Sequence, residues 1–161
     1  MTKPQIAILM GSASDMKIMQ EAGQILDQFG VTYEMKVLSA HRTPEETAEY
    51  VKSAEGRGIQ AFIAAAGFAA HLAGTVAAQC VLPVIGVPLD TSSLQGLDSL
   101  LSTVQMPKGI PVACVTIGKA GAINAGLFAV QILSRSQPEL VEKLKEYRGK
   151  MREQILSSQP N

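Results

Sequence analysis

Five short apolar runs alternating with longer helical patterns predict an α/β fold: a three-layer α/β/α sandwich built on a five-stranded parallel sheet, with an additional helix at the C-terminus. Three observations carry this expectation. The runs are rich in β-branched residues and read as continuously apolar, as strands covered on both faces do. The segments between them are long enough to be crossover helices. The chain has 161 residues, of which 47% are hydrophobic and 17% charged, enough for one core and too few for two independent domains. A single domain over residues 1–161 is therefore expected.

In chain order, the first strand is expected over Gln5 to Met10, followed by Gly11-Ser12-Ala13-Ser14-Asp15 and a helix from about Ser14 that ends on Gly30 as its C-cap. The second covers Thr32 to Leu38 and leads into Ser39-Ala40-His41-Arg42-Thr43-Pro44, where Thr43, Pro44 and Glu46 stand in N-cap, N1 and N3 order. The third covers Gln60 to Ala65, with a helix from near Ala70. Val84 to Val87 and Val112 to Ile117 complete the sheet, with helices from near Ser92 and Ala120. After Pro138 the composition changes, because residues 139–153 hold nine of the charged groups. In the C-terminal helix over 139–157, Leu140, Leu144, Tyr147, Met151 and Ile155 form one stripe, while Glu139 with Lys143 and Glu146 with Lys150 are spaced as ion pairs. This helix has no strand of its own to cover. Packing on a neighbouring subunit is expected, and packing on its own domain fits the stripe as well.

Composition removes several classes of function. Fourteen basic and fourteen acidic side chains give zero formal net charge, so no basic field exists for sequence-independent nucleic-acid binding. Cys80 and Cys114 form no CxxC pair and read as buried free thiols in a reducing compartment, with no metal site. The N-terminus has no signal-peptide pattern, and a cytoplasmic location is expected. The long uncharged stretch from Gly58 to Leu89 is broken by Gly67, His71, Gly74, Gln79 and Pro83, which favours burial in protein over insertion in a membrane. The nearly uncharged helical segments around 69–79 and 119–133 have no polar face. One domain has too few layers to cover both, so a large homo-oligomer is expected.

Ligands of open parallel sheets bind beyond the carboxyl ends of the strands, so three loops should converge. Gly11 to Asp15 places serines ahead of a helix, where N–H groups and hydroxyls can hold a phosphate; an ordinary capped turn has the same composition. Asp15 suits either ribose hydroxyls or the first turn of its helix. Ser39, His41 and Arg42 are more informative together. An imidazole exchanges protons near neutral pH, and a guanidinium grips phosphate or carboxylate. His71, the other histidine, reads as a satisfied helix-start or core residue.

Taken together, MGSASD at Met10 to Asp15, SAHRTP at Ser39 to Pro44, AAHL at Ala69 to Leu72, LPVIGVP at Leu82 to Pro88, the segment Gly96 to Val112, and IGKAGAINA at Ile117 to Ala125 strongly resemble the N5-carboxyaminoimidazole ribonucleotide mutase family. The resemblance spans nearly the whole chain. It implies a flavodoxin-like fold, an octamer, and reversible conversion of N5-carboxyaminoimidazole ribonucleotide to 4-carboxy-5-aminoimidazole ribonucleotide in purine biosynthesis, with no metal and no cofactor. By the same resemblance His41 is the general acid/base, Ser12, Asp15 and Arg42 bind substrate, Ser14 and Ser39 contact phosphate or ribose, and Gly67, Ala69, Ala70, His71 and Leu72 enclose the imidazole and the migrating carboxyl group. The alternatives are direct carboxylation of aminoimidazole ribonucleotide by CO2 and a nucleotide-binding homologue impaired in turnover. Phe68 raises the second alternative, because it stands where the family usually has glycine and a phenylalanine resists positive φ. Ala73 stands for a usual proline, Met16 for an aromatic residue, and Leu89-Asp90-Thr91 for a commonly uncharged segment.

Overall fold

Buried apolar runs become the central strands, and half-buried ones the edges. The computed structural model describes residues 3–158, so the two ends of the expected 1–161 domain lie outside the described residues. Strands β1 (Ile6–Met10), β2 (Tyr33–Val37), β3 (Ala61–Ala66), β4 (Val84–Pro88) and β5 (Ala113–Cys114) form one sheet in the order β2-β1-β3-β4-β5, all pairs parallel. This order is that of the flavodoxin-like fold. β1 and β4 are wholly buried, whereas β2 carries Glu34 and Lys36 on an exposed edge.

A one-turn 3-10 helix at Ala13–Asp15 runs into α1 (Met16–Phe29); then come α2 (Pro44–Lys52), α3 (Ala54–Arg57), α4 (Leu72–Ala77), α5 (Leu97–Val104), α6 (Gly118–Leu133) and α7 (Glu139–Ser157). One layer is α1 and α6, packed on Ile6, Ile8, Met10, Ile63, Ala65, Ile85 and Val87. The other faces Ala7, Leu9, Phe62, Ala64 and Val84 with Val51, Ala54, Leu72 and Val76 from α2, α3 and α4. α5 closes this side, its Thr103 methyl lying against Gly86. On the same side β2 is tied down at its edge: Tyr50 Oη donates to Glu34 Oε1 at 2.6 Å, Arg57 meets that oxygen at 3.2 Å, and the Arg57 guanidinium covers the Tyr50 ring. Burial first, and then Glu34, push the Tyr50 phenol well above its ordinary value.

Several local expectations are corrected. β5 is shorter than Val112 to Ile117. Val115 N still donates to Gly86 O at 3.0 Å, but the Thr116 carbonyl already lies against the first turns of α6, where a Cβ on Gly121 would overlap it. α5 starts at Leu97 rather than near Ser92, after the backbone passes through left-handed Gln95 (φ 52°) and Gly96 (φ 87°). Short α3 was not anticipated. Gly30 does cap α1 in the left-handed conformation (φ 73°). Thr43 occupies the N-cap position of α2, but its hydroxyl serves Ser39 instead of the helix. Cys80 and Cys114 are free but half-buried rather than fully enclosed.

α7 answers its two expectations along its length. Leu140 is buried, and Leu144 and Tyr147 pack on the core of their own domain, with Tyr147 beside Phe29. Met151 and Ile155, next on the stripe, are exposed. Glu146 pairs with Lys150 at 2.7 Å, but Lys143 donates to Phe29 O at 2.8 Å, so that lysine anchors the helix to the end of α1. Nor does the chain cover its uncharged helices on every side: α4 leaves Gly74 and Thr75 on an open groove, and Phe128 of α6 is 37% exposed. Among the described residues no helix is long and apolar enough to cross a membrane.

The seam between α1 and α6 depends on Gly126, where a Cβ would sit 2.9 Å from Ile25 Cβ and 3.0 Å from Ala22 O. Gly126→Val is expected to destabilise the chain by about 2 kcal/mol through overpacking, seen as a fall in Tm of about 4–8 °C by thermal unfolding.

Candidate active site

The sheet order reverses direction between β1 and β3, which opens a crevice at their carboxyl ends. A cleft of about 740 Å³ lies there, lined by the loops after β1, β2 and β3 and by Thr91 after β4. A second cleft of about 730 Å³, at the opposite end of β2 around Gly30 to Glu34, contains no histidine, arginine or serine. Size does not separate the two; chemistry does.

After β1, Ser12 and Asp15 form a reciprocal capping box. Ser12 N donates to Asp15 Oδ2 at 3.1 Å, and Ser14 N reaches Ser12 Oγ at 3.4 Å. Ser14 Oγ donates to Ser12 Oγ at 2.9 Å, placing both hydroxyls on the cleft. Asp15 is only 4% exposed, and burial, the largest influence on it, holds its carboxyl above the ordinary value against the opposing pull of Ser12 N–H, Ser14 and Arg42.

After β2, the turn closes on Ser39. Ser39 N donates to Thr43 Oγ1 at 2.8 Å, Thr43 N and Oγ1 return to Ser39 O, and Arg42 N donates to Ser39 Oγ at 3.2 Å. Buried Thr47 adds a bond from its hydroxyl to Thr43 O at 2.7 Å. These bonds fix the rim that carries His41 and Arg42. Arg42 Nη2 donates to Gly11 O at 2.7 Å and Nε to Ser39 Oγ at 3.5 Å, so the guanidinium bridges the β1 and β2 loops and leaves its Nη1 edge for an anion.

After β3, Gly67 is pressed against Thr91, whose Oγ1 occupies the space a Cβ would need. The chain then turns at Phe68, which adopts φ 53°. A phenylalanine in this region costs about 1–3 kcal/mol, so the expected resistance is overcome by the surrounding backbone. His71 N donates to Ala69 O at 2.8 Å, which completes a tight turn and delivers the imidazole to the cleft. His71 Nδ1 lies 2.7 Å from His41 Nε2, with the rings edge to face at 77° and centroids 4.8 Å apart.

His71 thus stands at the start of α4, as its N-cap residue, and is a helix-start histidine rather than a core one: it is exposed and its ring meets His41. Of the expected site residues, Ser12, Ser14, Asp15, Ser39, His41, Arg42, Gly67, Ala69, His71 and Leu72 all line the cleft. Ala70 does not; it is 2% exposed and sits behind the wall. Thr91 belongs to the lining and was missed, although its place just beyond a strand's carboxyl end is the signal that located the other loops. Among the described residues no three His, Cys, Asp or Glu side chains gather as a metal-binding group.

With this geometry in place, comparison with known proteins is direct. A model of the AIR carboxylase family matches residues 5–154. N5-carboxyaminoimidazole ribonucleotide mutase of Pyrococcus abyssi is 58% identical over 149 residues, spanning 92% of this chain and 84% of that protein. The protein of that name from Bacillus subtilis is 54% identical over 156 residues, spanning 97% and 96%. The crystal structure of Treponema denticola PurE superimposes with a TM-score of 0.87 at 30% identity, covering 96% of this chain and 95% of that one.

Asp15 gives a measurable consequence. Because the folded chain holds its proton more tightly than the unfolded chain does, stability falls as pH rises from the ordinary carboxylate value toward the raised one. Asp15→Asn abolishes this titration and keeps an acceptor for Ser12 N–H. Its stability relative to wild type is expected to improve as pH rises above the ordinary carboxylate value in urea unfolding, with a constant difference counting against the assignment.

Proposed function

This chain belongs to the AIR carboxylase family, and on that footing we propose that it carries the activity for which its relatives are named, the interconversion of N5-carboxyaminoimidazole ribonucleotide and 4-carboxy-5-aminoimidazole ribonucleotide in purine biosynthesis. The observation that carries the mechanism is the imidazole pair on the cleft. His71 Nδ1 lies 2.7 Å from His41 Nε2, and this contact fixes the direction of the His41 ring on the cleft.

The chemistry balances on one proton. His41, as imidazolium, gives its proton to the exocyclic nitrogen of the carbamate. The N–C bond breaks with its electron pair remaining on nitrogen, and CO2 is released beside an electron-rich aminoimidazole. C4 attacks the CO2 carbon to form the new C–C bond, and neutral His41 removes the C4 proton, which restores the imidazolium. Acid and base are the same ring. Ser12, Ser14 and Ser39 with the free edge of Arg42 suit the phosphate and ribose, Asp15 a ribose hydroxyl, and Gly67, Ala69 and Leu72 an apolar wall that delays loss of CO2. Ala70 supports this wall from behind.

The working unit is a homo-octamer in the cytoplasm. Supporting this, Leu97, Leu101 and Val104 lie exposed at helical spacing on α5, with Leu94 exposed just before it, and Met151 and Leu156 lie exposed on the outer half of α7, where a neighbouring subunit would cover them. Light scattering on the purified chain is expected to give eight times the monomer mass.

Supplying N5-carboxyaminoimidazole ribonucleotide to the purified protein is expected to give the 4-carboxy product without ATP. Turnover only with aminoimidazole ribonucleotide and CO2 would reassign the chain to direct carboxylation, and binding without turnover to a non-catalytic role. His41→Asn is expected to lower kcat by about 10²–10⁴-fold with folding intact by circular dichroism. His71→Asn, which removes the aiming partner, is expected to lower kcat by about tenfold with a smaller change in KM.

A further inference from the structure

Phe68 is in an unusual position for a phenylalanine. Its backbone is left-handed (φ 53°), the residue is 62% exposed, and it lines the same cleft as the two histidines. The turn itself is dictated by its neighbours. Gly67 is held against Thr91 on one side, and the His71 N–H to Ala69 O bond closes the other. Glycine would meet this backbone requirement without strain. The surrounding backbone overcomes the cost of the positive φ but leaves the apolar area of the side chain uncovered. A flat apolar surface docked on the ring would cover it, and the cleft's proposed occupant has one.

We propose that Phe68 is a positioning residue: its ring lies against the aminoimidazole heterocycle and closes the end of the cleft through which released CO2 would escape. The inference rests on the functional reading above. Offset stacking on an aromatic face holds the heterocycle with its C4 toward the apolar wall of Ala69 and Leu72, and it completes that wall only when substrate is bound. Phe68 is thus a substitute for containment, not a defect in the loop.

Phe68→Gly separates this role from a structural one, because glycine relieves the backbone. F68G is expected to be at least as heat-stable as wild type, yet to show a KM raised about three- to tenfold. With isotopically labelled bicarbonate in the buffer, F68G is also expected to incorporate more label into the carboxylated product than wild type does, after subtraction of the protein-free rate. Phe68→Tyr, which keeps the flat ring, is expected to restore both values. The inference is overturned if F68G matches wild type in KM and label retention, or if its losses follow a change in assembly mass, which would make the ring a contact between copies. Absence of turnover by wild type would remove the functional reading and this inference with it; wild-type turnover with an unaltered F68G would remove this inference alone.

Discussion

A 2.7 Å contact between imidazoles delivered by different strand ends sets the tolerance for everything beneath it. His41 follows β2 and His71 follows β3, and these strands never touch; β1 lies between them. Their meeting therefore depends on the registers Met10 with Val37 and Met10 with Ala65. A slip of one residue moves a strand end by about 3.3 Å and reverses every side chain on it, which would separate the rings and expose the core together. The hydrophobic pattern that buries Ile6, Ile8 and Met10 on one face and Ala7 and Leu9 on the other is in this sense also what places the imidazole pair.

The parallel sheet was legible because its central strands are buried on both faces and read as unbroken apolar runs, and the edge that carries the candidate site followed from chain topology alone. What was not legible depended on contacts between distant residues. His71 in an alanine-rich stretch has no local mark of partnership, since its partner is thirty positions earlier. Thr43 has an N-cap's composition, but Ser39 competes for its hydroxyl. Gln95 gave no warning of positive φ, so α5 was expected several residues too early. Phe68 was expected to resist the left-handed region, and the geometry between Gly67 and His71 prevails over that local preference.

The two helical layers divide their labour. α1 and α6 are joined closely through Gly126 and form the rigid backing of the sheet. The opposite layer is built of shorter helices, α2 to α5; the loops leading into α2 and α4 carry part of the rim of the cleft, and α5 leaves Leu97, Leu101 and Val104 exposed.

The contact between Gly67 and Thr91 also constrains how this sequence can diverge. With a hydroxyl occupying the place of the missing Cβ, a larger residue at position 67 is admitted only if Thr91 turns aside or becomes smaller. The two positions are therefore coupled: a lineage that keeps Thr91 as it stands is held to glycine beside the cleft, and one that shortens it gains access to loop shapes closed to this one.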